Sequence, residues 1–156
     1  MTLTTDIFAA FDKKWAILTA GSGESFNTMT ISWGGMGTIW NKPVVTVYVR
    51  PSRYTYKFME ESEYFTVSFY PEERRSDLAL LGRLSGRDGD KLAKTALTPR
   101  EVPHGVSFEE AECTIVCRKL YAQDLDRAGM LPEVADGPER DDVHRMYIGE
   151  VVEIIR

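Results

Sequence analysis

The sequence predicts a mainly β protein with short helices, built as a closed or nearly closed antiparallel barrel. Three observations predict it. Six or seven runs rich in β-branched and aromatic residues are spread along the 156 residues. The helical patterns between them are few and short, unlike an alternating βαβ chain. No GxGxxG follows a strand, which removes support for a Rossmann dinucleotide site.

The elements follow in order. A short N-terminal helix is expected, then strands near residues 15–20 and 25–33. The second strand contains NTMTISWGGMG, residues 27–37. Alternation puts Thr28, Thr30 and Ser32 on one face and Met29, Ile31 and Trp33 on the other. The hydroxyls either fill a wet sheet face ahead of a glycine turn, or face a flat polar ligand that needs close backbone approach. GGMGTIWNKP reads as a loop, and PVVTVYVR, residues 43–50, as a strong strand. Residues 52–62 read as a helix capped by Ser52, with Tyr54, Phe58 and Met59 on one face. EYFTVSFY, residues 63–70, is a further strand. Pro71 ahead of Glu72 and Glu73 starts a helix that stops at Gly82 or Gly86. A short helix in GDKLAKTALTP precedes Pro99, and longer strands cover 110–122 and 144–156. The intervening residues 123–142 mix Gly, Pro and charge over a length that marks a mobile or functional segment.

At 43% hydrophobic content the chain fits one domain, residues 1–156, with a sizeable core. A net charge of −5 and the absence of a basic run argue against nucleic acid. No apolar run approaches the ~20 residues of a membrane span. Asp6 interrupts the first apolar run and no basic leader precedes it, so a cytoplasmic protein is expected. Cys113 and Cys117 share one strand pattern, placing their Cα atoms roughly 13 Å apart, beyond the ~7 Å limit for a bridge. No His or second Cys pair stands at ligand spacing, so no metal site is expected.

The segment VYVRPSRYT carries a charge anomaly. A helix start favours acids and disfavours cations, yet Arg50 and Arg53 bracket this one and the first acid is Glu60. Either both arginines turn to solvent or to distant carboxylates, or they join the hydroxyls of Ser52 and Thr55 in holding a phosphate. A second segment, SGRDGDK, adds the Ser85 hydroxyl, a glycine turn and Lys91. Turns of this composition are also common without a ligand.

Taken in order, NTMTISWG (27–34), RPSRYT (50–55), SGRDGDK (85–91) and HRMYIGEV (144–151) resemble the flavin reductase-like family over almost the whole chain. The resemblance implies an FMN-binding split β-barrel of antiparallel Greek-key type. It implies that Asn27, Thr28, Met29, Thr30, Ser32 and Trp33 lie beside the isoalloxazine ring. Trp33 packs near the ring or the barrel edge, with ordinary core packing as the competing reading. Arg50, Ser52, Arg53, Tyr54, Thr55, Ser85 and Lys91 would hold the phosphate end. His144 matches a histidine found near the nicotinamide in some family members. There the preceding residue is usually Asp, whereas here it is Val143 with Asp142 one place earlier. The implied activity is NADH- or NADPH-dependent reduction of flavin with transfer to a second acceptor, which can be a protein. The alternative is a flavoredoxin-like electron carrier reduced by a partner. A homodimer is implied as well. Because flavin carries the chemistry, no protein base or nucleophile is required.

Overall fold

The computed structural model describes residues 2–156. Nine strands form: β1 Ala16–Ser22, β2 Ser25–Ile31, β3 Gly34–Ile39, β4 Lys42–Val49, β5 Tyr64–Phe69, β6 Pro99–Val102, β7 Gly105–Phe108, β8 Cys113–Asp124 and β9 Arg145–Ile155. Seven build one antiparallel sheet in the order β2-β1-β5-β8-β9-β4-β3, and β6 pairs with β7. The short helices are α1 Ile7–Ala9, α2 Thr55–Glu61, α3 Arg75–Arg83 and α4 Pro132–Ala135.

The sheet order explains the barrel. The edge strands β2 and β3 are consecutive in the chain, separated only by Ser32 and Trp33. Three Cα steps span at most roughly 11 Å. Flat, the edges of seven strands would lie roughly 29 Å apart. The sheet therefore curls until its edges meet, and they meet without pairing.

Two apolar clusters hold this shape. Inside, Leu18, Met29, Ile31, Val45, Val47, Phe65, Ile115 and Tyr147 pack together. On the other face of β1, Ile17 joins Leu78 and Leu81 of α3, Leu97 and Phe108. β1 is buried on both faces, which is why it reads as a continuous apolar run. Gly149 answers to packing: a Cβ there would stand 2.6 Å from the Phe65 ring.

The structure corrects several expectations. GGMGTI is not a loop but strand β3, paired with β4 from Gly34↔Val47 to Ile39↔Lys42. Glycine is depleted from strands in general, yet Gly34 is needed here because a Cβ would come 2.5 Å from the Phe11 ring. Close approach at Gly34 thus serves the core; Gly35 and Gly37 have open space around them. The β3–β4 turn places both Trp40 and Asn41 at positive φ, the geometry of a two-residue hairpin. The β6–β7 hairpin adds two strands to the expected set. Finally, Ser52 does not cap α2, which follows Tyr54 and has no side-chain cap.

Candidate functional site

A groove runs along the seam where β2 and β3 meet, and the local chain path dictates what faces it. Thr28 and Thr30 do not offer free hydroxyls. Thr28 is buried, its Oγ1 donating to the Leu18 carbonyl at 3.3 Å and lying 3.0 Å from Thr19 Oγ1. Thr30 Oγ1 donates to the Leu78 carbonyl at 2.5 Å, tying β2 to α3. Those two hydroxyls are structural, and among the described residues Ser32 alone of the three has no side-chain hydrogen-bond partner. Trp33 is 52% exposed, which excludes core packing, and its ring lies 4.9 Å from that of His144.

Met29, Thr30, Ser32, Trp33, Arg50 and His144 line one cavity of about 170 Å³. Tyr48 and Glu139 line it too, in addition to the residues the sequence points to. Tyr48 was legible: it stands two residues before Arg50 on an alternating strand. Glu139 was not, because it arrives on the 123–142 segment. Burial, then the nearby Arg50 guanidinium, holds His144 below its ordinary pKa, so the imidazole is neutral at neutral pH.

Beyond Arg53 a second cavity of about 140 Å³ is lined by Asn27, Ser52, Arg53, Tyr54, Thr55, Ser85 and Lys91. Thus every expected site residue except Thr28 falls in one of these two adjoining cavities. Within the second, Asn27 Nδ2 donates to Thr55 Oγ1 at 2.7 Å and locks β2 to α2. Ser85 Oγ accepts from the Arg87 amide at 3.2 Å. Arg87 Nη1 donates to the Ser52 carbonyl at 2.7 Å. The Ser52 hydroxyl donates to the Asp142 carboxylate.

The cations define the electrostatics. Among the described residues, no ion pair involves Arg50, Arg53, Arg87 or Lys91. Instead the carbonyls at the C-terminal end of α3 receive two of them, Lys91 and Arg53. Lys91 Nζ donates to Leu81 and Leu84 at 3.3 Å each, and Arg53 Nη1 reaches Gly82 at 3.5 Å. A helix C-terminus carries only about half a negative charge. The cluster is therefore held in place but not neutralised. Burial, then Arg53, pushes the Lys91 ammonium down to about 8. An anion arriving here would find donors already positioned and without competing carboxylates, apart from Asp142 and Glu139 at its margin.

On its other side the groove opens into a basin of about 1110 Å³, walled by Phe8, Phe11, Trp33, Met36, Leu125 and Met146. Among the described residues there is no cluster suited to a metal, and no helix long and apolar enough to cross a membrane.

The family model described as "Flavin reductase like domain" matches residues 8–156. A flavoredoxin from Methanosarcina acetivorans is similar in fold at 19% identity and a TM-score of 0.70, over 99% of this chain and 74% of its own. An FMN-binding protein from Thermus thermophilus with bound 1-cyclohex-2-enone superposes with a TM-score of 0.71 at 19% identity, over 100% of this chain and 77% of its own. A Streptomyces globisporus NADH:FAD oxidoreductase, in complex with NAD and FAD fragments, does so at 0.68 and 14%, over 92% of this chain and 74% of its own. A search of curated proteins finds no match.

Proposed function

This chain belongs to the flavin reductase-like domain family, and on that premise we propose that it is an FMN-dependent oxidoreductase drawing on NADH or NADPH and serving a second acceptor. The single observation that carries the reading is the unneutralised Arg50, Arg53 and Lys91 cluster, joined to the Ser32, Trp33 and His144 groove. These residues fit FMN: a dianionic phosphate needs unpaired cations, and a flat ring needs a wall with few side chains in the way.

Arg53 and Lys91 would hold the phosphate, with Arg50 between phosphate and ring. The Ser32 hydroxyl would hydrogen-bond the polar ring edge, and Trp33 would flank the ring. Bound FMN supplies the redox chemistry, so the protein's task is binding and orientation. The basin beside Trp33 has room for a nicotinamide, and its Phe8, Phe11 and Met36 walls would give that face an apolar surround. Neutral His144 can hydrogen-bond such a substrate through one ring nitrogen without adding charge. A homodimer belongs to the same reading and is checked by sedimentation equilibrium.

A carrier role draws on one observation. α4, within the segment that brings Glu139 and Asp142 to the groove, leaves Leu131 67% and Val134 58% exposed, a surface suited to a protein electron partner. One experiment separates the readings: saturate the protein with FMN anaerobically, add NADH and then NADPH, and follow the visible flavin absorbance. Rapid bleaching is expected. A flavin that stays yellow with both would refute the reductase and leave the carrier.

A further inference from the structure

The segment between β8 and β9 reaches the groove at two places, yet little holds it there. It leaves and returns at one pinned point: Arg145 holds Asp124 at 3.0 Å and Glu60 at 2.7 Å, and the Leu125 amide donates to the His144 carbonyl at 3.0 Å. Beyond that point its backbone bonds are to itself, in α4 and in the turns that close on the carbonyls of Val134, Gly137 and Glu139. Neither apolar cluster includes any residue from 125 to 143. Among the described residues, one hydrogen bond ties 126–143 to the rest of the molecule, from the Ser52 hydroxyl to the Asp142 carboxylate. A segment without a buried apolar anchor lies at the low-stability end of a fold. Its charge brings it to the groove. Residues 125–142 carry six acids against two arginines, four of the chain's five net negative charges. Two of those acids reach the cations: Asp142 through Ser52, and Glu139 on the lining of the ring groove with Arg50 and Arg53.

Resting on the flavin reading, we propose that this segment is a strap displaced by the flavin phosphate: its own carboxylates occupy the groove until a phosphate monoester arrives and lifts them out. The exclusion is chemical. A serine hydroxyl has one proton to donate, so Ser52 serves either Asp142 or a phosphate oxygen and not both. A dianion in the cradle also meets Asp142 as a like charge across the same hydroxyl. Arg87 Nη1, donating to the Ser52 carbonyl at 2.7 Å, keeps Ser52 in place while its hydroxyl changes acceptor. The Asp142 amide donates to the Glu139 carbonyl at 3.0 Å, so the two acids belong to one turn and move together. Losing the Ser52 contact therefore withdraws Glu139 from the ring groove as well. One anion at the cradle thus clears both ends of the site. The coupling is reciprocal, so the docked strap weakens phosphate binding by the same factor that the phosphate loosens the strap.

The test is limited tryptic digestion, because Arg127 and Arg140 both lie on the strap and are exposed. Cleavage there follows the open population of the strap. FMN should speed it by about three- to tenfold in the wild-type chain, while riboflavin, which has no phosphate, leaves it within about 1.5-fold of the ligand-free rate. Inorganic phosphate should speed it too, compared with chloride at the same ionic strength. Asp142→Ala should be cut at the faster rate without any ligand, and FMN should add nothing further. Cleavage that FMN slows overturns the proposal, because the strap would then close on its ligand. Cleavage that FMN leaves unchanged, or that riboflavin speeds equally, overturns it as well. If Asp142→Ala does not fold, Ser52→Ala removes the same contact from the other side. Flavin fluorescence in the same samples reports whether FMN binds. If it does not, the flavin reading fails, and inorganic phosphate alone decides whether the strap answers to an anion.

Discussion

Replacing Arg53 by Ala separates ligand binding from folding, because this guanidinium does little for the free protein. Among the described residues its one hydrogen-bond acceptor is the Gly82 carbonyl at 3.5 Å, the limit of a hydrogen bond. Its neighbours Arg50 and Lys91 repel it, and both appear among the groups that Coulomb interaction couples to it. Removal should therefore leave the melting temperature unchanged or slightly raised. Toward a phosphate the same group supplies a charge-assisted hydrogen bond, worth about 1.5–3 kcal/mol, or roughly 10- to 150-fold in Kd. Riboflavin lacks the phosphate and serves as the internal control. The assay is flavin fluorescence quenching for FMN and riboflavin, beside a thermal melt. FMN should weaken by that factor while riboflavin stays within about twofold. Equal losses for both flavins would place Arg53 at the ring. An unchanged FMN affinity in a well-folded variant would remove the phosphate assignment.

Asp142→Asn withdraws a carboxylate that accepts from Ser52 at the margin of the cradle. It should tighten FMN by a few-fold, roughly 1 kcal/mol or less, and a weaker FMN affinity by titration would show that Asp142 supports the site. FMN affinity should also depend on pH through Lys91. Its ammonium is lost as pH rises through about 8, so the cradle carries less positive charge at pH 9 than at pH 7. A bound phosphate would keep that proton on, so binding takes up a proton and Kd weakens by up to about tenfold per pH unit above 8. Calorimetry in two buffers of different ionisation heat measures the uptake, and Lys91→Met should abolish it. Thr28→Val should cost about 1–3 kcal/mol of stability by denaturant titration, since it strands Thr19, with FMN affinity unaffected. Ser32→Ala should do the reverse, weakening FMN and riboflavin alike with stability unchanged.

What the sequence made legible follows a physical divide. Strands whose residues favour a pleated, buried surface, such as PVVTVYVR, could be read directly. GGMGTI could not, because its pairing is imposed by β4 and its first glycine by the ring of Phe11. The β6–β7 hairpin is four residues a side, too short for periodicity to register. Its place is set by burial of Val106 and Phe108. In the site, Arg50 and Arg53 stood out because their charge opposed the local backbone. The faces of Thr28 and Thr30 misled for the opposite reason. Alternation locates a side chain on one side of a strand but not what covers that side, and here β1 and α3 take both hydroxyls. Glu139 depends on long-range closure. Arg145 holds Asp124 at 3.0 Å and the Leu125 amide donates to the His144 carbonyl at 3.0 Å, so the segment leaves and returns at one point.

The position of the site follows from the same closure that makes the barrel. A sheet whose edges meet but do not pair must leave backbone donors and acceptors facing each other across a seam, and a ligand with a polar edge can satisfy them. Ser32 and Trp33 are the two residues that cross it, so topology leaves them half-buried and exposed respectively, open to the groove. Beside the seam, α3 ends on carbonyls 81, 82 and 84 and holds Lys91 and Arg53. Carboxylates in the same role would bind the cations more firmly and cancel their charge. A helix terminus contributes only partial charge, which orders the cations and leaves them free to pair.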